Sequence, residues 1–138
     1  MRRSLRNPGL AGDRRGAVAV EFALVGLVIL SALLALFETG RMTLAQSALQ
    51  FATGSAARWA SVHSATATQS TVSSQFQAAF QTALPGASAS VSVTFSPSPA
   101  AAGGAVTVAA SYAWVPVSGA LTFAARTLSA QVATTIQH

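Results

Sequence analysis

Side chains able to move a proton or hold a metal are scarce in this sequence. Its acids are Asp13, Glu21 and Glu38, its histidines are His63 and His138, and it has no cysteine. Disulfides and thiolate metal sites are therefore excluded. A paired-carboxylate site would have to join Glu21 to Glu38, which stand about 25 Å apart if one helix carries both. Neither histidine has a second ligand nearby in sequence, so both read as solvated linker and terminus positions. There is no G-x-S-x-G, and no acid–histidine pair supports a serine nucleophile. Gly103-Gly104 reads as a turn, because a chain without lysine cannot build a P-loop phosphate cradle. Trp59 and Trp114 read as core or interface anchors. No catalytic residue, cofactor site or metal site is expected, and the chain is not read as an enzyme.

The informative acid is Glu21. It stands five residues after Gly16, inside "RRGAVAVEFALVGLVILSALLALFE". An acidic side chain in a membrane helix costs about 2.5–3.5 kcal/mol at the centre and less near the edge. One reading leaves Glu21 at headgroup depth with no special role. The other uses Gly16: a cut between Gly16 and Ala17 makes Glu21 the fifth residue of the new chain. The new α-amino group is a cation in apolar surroundings, and Glu21 lies on the same helical face as Ala17. The same carboxylate can meet the amine of a neighbouring subunit, where a charge pair in an apolar bundle sets register.

The elements around these residues follow from composition and period. Of the eight basic residues, all arginine, five precede Gly16: Arg2, Arg3, Arg6, Arg14 and Arg15. Beside an apolar run, such an arm sets topology, with the amino terminus cytoplasmic, and it is not read as a nucleic-acid site. Residues 17–37 are apolar apart from Glu21 and Ser31, and as a helix they approach the ~30 Å hydrocarbon core. The run is too long for a signal-peptide core and lacks a cleavage site behind it. Residues 38–60 continue without proline, so one helix is expected over 17–62. It is membrane-embedded over 17–37 and amphipathic beyond. Leu44, Ala48, Phe51, Ser55 and Trp59 form its expected apolar stripe. Glu38 and Arg41 are spaced to pair on one face, either as a surface ion pair or as a docking contact at the membrane exit. Residues 63–71 read as a polar linker. A short helix is expected over 72–84, ended by Pro85-Gly86. Alternation then predicts strands near 89–96, 105–115 and 126–137, with breaks at Pro116 and Gly119. The fold class is α+β: a long amino-terminal helix, one short helix, and a small antiparallel sheet whose apolar face covers the helix stripe.

Gly16, four apolar residues and then Glu21-Phe22 resemble the cleavage motif of type IV prepilins of the Flp/Tad (tight adherence) kind. With Glu38, Gly40 and Arg41 at "E-x-G-R" positions and Arg58 closing "A-A-R", residues 14–60 are similar to the TadE-like family of pilus assembly proteins, or minor pseudopilins. The resemblance implies a basic leader over 1–16, removed by a prepilin peptidase between Gly16 and Ala17. It implies an inner-membrane, single-pass precursor in a bacterium, with an extracytoplasmic domain over 63–138. The implied partners are the peptidase, other Tad pilins and pseudopilins, the inner-membrane assembly platform and membrane lipid. The contrasting expectation is an unprocessed single-pass membrane protein with an extracytoplasmic binding domain.

Overall fold

The computed structural model describes residues 14–117 and 124–137, with side chains from Gly16 onward. The arm over 1–13, the break at Gly119 and His138 lie outside the described residues. The chain divides into two compact units, Met1–Phe37 and Glu38–His138. Helix α1 (Arg14–Val62) runs through both.

In the first unit, the side chains of α1 from Ala17 to Phe37 are exposed, apart from the half-buried Gly26. This segment is long and apolar enough to cross a membrane. Its internal hydroxyl is satisfied locally, since Ser31 Oγ donates to the Leu27 carbonyl at 2.7 Å. A helix that closes its own backbone and side-chain hydrogen bonds suits a medium without water.

The second unit holds the core. Helix α2 (Gln69–Ala83) begins earlier than its apolar spacing predicts, because the polar residues ahead of Val72 build a cap. Thr68 Oγ1 accepts from the Thr71 amide at 3.2 Å, and Thr71 Oγ1 accepts from the Thr68 amide at 2.9 Å. This is a capping box with threonine in the place usually taken by glutamate. Thr68→Ala removes one half and is expected to cost about 1 kcal/mol, read as a lower denaturation midpoint at unchanged slope. After Ala83 the Leu84 amide returns to the Phe80 carbonyl at 2.9 Å, and Gly86 turns the chain at φ 79°.

Strands β1 (Ser90–Ser96), β2 (Ala105–Trp114) and β3 (Arg126–Thr135) form an antiparallel sheet in that order. Val93 faces Val108, and Val108 faces Val132. Val93, Val106, Val108, Ala110, Trp114 and Leu128 turn to the core, while Ser92, Thr94, Ser129 and Gln131 stay exposed. A period of two therefore separates an apolar face from a hydroxyl-rich one.

Helix α1 meets this core with a different face from the expected one. Leu44 is 55% exposed and Phe51 61% exposed, whereas Ala45, Ala48, Leu49, Ala52, Ala56, Ala57 and Ala60 are buried. The buried face is rotated from the expected stripe by about one residue's turn, ~100°. The physical reason is volume. Phe76, Phe80, Val106, Val108 and Trp114 fill the interior from α2 and the sheet. The long helix supplies alanines, so its backbone can approach closely. Phe76 and Phe80 stack at 5.7 Å, and Tyr112 meets Phe80 edge-on at 5.5 Å. Two contacts tie α1 to β3: Gln46 Nε2 donates to the Ser129 carbonyl at 3.0 Å, and the Gln137 amide to the Ser61 carbonyl at 2.8 Å.

Candidate functional site

The sequence singled out two groups of residues, and each falls within one unit. The first is Gly16, Ala17, Glu21 and Phe22, on the opening turns of α1. All four are exposed, Phe22 at 79%. Glu21 shares a shallow groove on the helix surface with Val18, Phe22 and Val25. It makes no ion pair among the described residues. A Cβ added at Gly16 meets nothing within 4 Å. The fold therefore gives no reason for a glycine at 16 or for a carboxylate at 21.

The second group opens the other unit. Glu38 is only 4% exposed. It lies on the buried face of α1, in line with Ala45, Leu49, Ala52 and Ala56 at helical spacing. Its Oε2 accepts from an Arg41 guanidinium nitrogen at 2.9 Å. Its Oε1 accepts from the Val117 backbone amide at 2.8 Å. The carboxylate thus neutralises an arginine and holds the segment that leaves β2. Both bonds are charge-assisted, the stronger class of hydrogen bond. Glu38–Arg41 is consequently more than a surface pair: it clasps α1 to the β2–β3 connection. Val117 was outside any sequence expectation, and no local signal points to it, since 79 residues separate donor and acceptor.

Gly40 and Arg58 do not join this clasp. Gly40 is exposed, and a Cβ built there meets nothing within 4 Å. Arg58 is exposed, with a guanidinium nitrogen 3.7 Å from a Cβ built on Gly54. His63 is also exposed, stacked on Trp59 at 4.5 Å, with Nδ1 2.9 Å from the Trp59 carbonyl. Opposite the buried face, Gly40, Leu44, Ser47, Phe51 and Gly54 fall on one side of α1. Large apolar residues there alternate with small ones at a seven-residue repeat, the pattern of a helix that packs on another helix.

Residues 16–58 match the family model of TadE-like proteins. No curated protein and no solved structure matches the chain. The matched segment contains both residue groups described above, the exposed Gly16–Phe22 turn and the Glu38–Arg41 clasp, together with the outward seam of α1. The chain is thus similar to TadE-like proteins over this amino-terminal segment.

Proposed function

We propose that the chain is a structural component of a Tad (Flp) pilus. In this reading it is made as a single-pass inner-membrane precursor and cut by a prepilin peptidase between Gly16 and Ala17. The basic leader stays cytoplasmic, residues 17–37 span the membrane, and the α+β unit projects outside the cytoplasm. The observation that carries the reading is the pairing of an unconstrained Gly16 with an exposed Glu21 that has no ion pair among the described residues, inside the family-matched segment. Each residue lacks a role in the fold, and each has one in a processed chain. A peptidase needs a small residue ahead of the cut, and a new terminal amine needs a carboxylate.

The uncovered side of α1 supports an assembly role. Leu44 and Phe51 remain exposed at 55% and 61%, flanked by Gly40, Ser47 and Gly54. These positions suit packing against the helices of other Tad pilins, pseudopilins or the inner-membrane platform. Gly40→Ala tests the point. With open space around the added methyl, the substitution is expected to stabilise the isolated chain by about 0.5–1 kcal/mol. If the glycine serves a neighbouring helix, the same change lowers recovery in assembled material. Denaturant titration and co-purification with other pilus components read the two effects separately. The function is tested by deleting the chain from a Tad-competent cell. Loss of adherent fibres, restored by the wild-type sequence, is expected, and unaltered piliation would refute the reading.

A further inference from the structure

The clasp at Glu38 fixes a second segment close to the end of the apolar run. Phe37 is the last residue of that run, and Glu38 follows it directly in sequence. The Val117 amide is 2.8 Å from Glu38 Oε1, so the exit from β2 is held at Glu38, the residue that follows the apolar stretch in sequence. Val115 is 59% exposed and Val117 73% exposed, on either side of a buried Pro116. Neither valine contributes to the core.

The charges at this end have one sign. Arg126 opens β3 as the register partner of Trp114 and is exposed, with no carboxylate partner among the described residues. Arg41 has 35% of its side chain exposed. Glu38 is the only acid anywhere after Glu21, and it is buried and already bonded to Arg41. Two exposed valines with an unpaired arginine nearby suit the boundary between acyl chains and anionic headgroups.

We infer that the Val115–Val117 segment and Arg126 rest on the bilayer surface, giving the extracytoplasmic unit a membrane contact separate from its spanning helix. This rests on the reading of residues 17–37 as a membrane span. The valines lie at headgroup depth, and Arg126 meets lipid phosphate. The occupant is a lipid surface because the segment is bonded to Glu38, the residue that follows the apolar run in sequence, and offers positive charge without competing acid.

The chain has no cysteine, so single labelled sites can be read in the full-length protein. Val117→Cys, Leu30→Cys and Ala102→Cys, each carrying an environment-sensitive fluorophore, are placed in phosphatidylcholine or phosphatidylglycerol nanodiscs containing nitroxide lipids. Ala102 lies in the turn at the far end of β2, about 30 Å of strand away from Trp114. The expected result has three parts. Leu30 loses emission to a deep nitroxide, Val117 shifts to the blue and loses emission to a headgroup-level nitroxide, and Ala102 does neither. If Leu30 is quenched while Val117 behaves like Ala102, the surface contact is overturned and the span stands. An unquenched Leu30 overturns the span and the surface contact with it. Adding Arg126→Gln should reduce Val117 quenching in phosphatidylglycerol discs only. An unchanged signal there would remove Arg126 from the headgroup contact.

Discussion

Glu21→Ala is expected to give a chain that is still cut after Gly16 but is lost from assembled pilus material. The fold supplies the reason for separating the two steps. Glu21 is exposed on α1 and makes no ion pair among the described residues, so its removal leaves folding intact. Once Ala17 is the first residue, its amine lies one helical turn from position 21. In an apolar helix bundle, leaving that cation unpaired costs about 3–5 kcal/mol. At 1.4 kcal/mol per factor of ten, this is a loss in assembly of roughly a hundredfold or more. Glu21→Asp, which keeps the charge on a shorter arm, should recover part of it. The complementary change is Gly16→Trp, which should abolish the cut. A Cβ added at 16 meets nothing within 4 Å and the position is exposed on α1, so an uncut Gly16→Trp precursor that keeps its folded unit reports on peptidase access. Anti-tag blots of membrane and sheared-fibre fractions read both variants. Normal incorporation of Glu21→Ala would remove the charge-pairing role.

Glu38→Ala should produce the largest loss of stability among the polar positions described. It leaves the Val117 amide without its acceptor and Arg41 without its anion, both supplied by one carboxylate that is 4% exposed. A hydrogen bond to a charged group contributes about 1.5–3 kcal/mol, and the orphaned donor adds its own desolvation cost. Because the Arg41 side chain is 35% exposed, water compensates part of that half, and a total of about 2–3 kcal/mol is expected. Glu38→Gln should cost less, since an amide oxygen still accepts from Val117. Arg41→Ala should cost about 1 kcal/mol. Both tryptophans, Trp59 and Trp114, lie in the Glu38–His138 unit. Their fluorescence during denaturant unfolding in detergent therefore reports the unit that the clasp holds together. Equal losses for Ala and Gln at 38 would assign the effect to charge alone and not to the Val117 bond.

The comparison of these residues shows which information a sequence carries locally. Alternation in "SVSVTFS" and "AVTVAASYAW" announces strands because each residue's face is set by its immediate neighbours. The apolar length of residues 17–37 is equally local. The buried face of α1 is different. Judged by bulk, Leu44 and Phe51 mark the inward side, yet the core is filled from Phe76, Phe80 and the sheet, and alanines from Ala45 to Ala60 are what fit against it. Such volume complementarity is a property of two surfaces that meet only after folding. Glu38 makes the same point for polar chemistry. Its spacing to Arg41 is visible in the sequence, but its burial and its bond to Val117 depend on a contact spanning 79 residues. The large residues left outside, Leu44 and Phe51, become informative only once the structure shows them more than half exposed.

The roles proposed for Gly16 and Glu21 both require a processed amino terminus. Intact-mass measurement of the chain extracted from membranes, in cells with and without a prepilin peptidase, addresses it directly. A chain beginning at Ala17 in competent cells and at Met1 in peptidase-deficient cells is the predicted result. A chain that keeps Met1 while the peptidase is active would contradict it, and would leave an unprocessed single-pass membrane protein in its place.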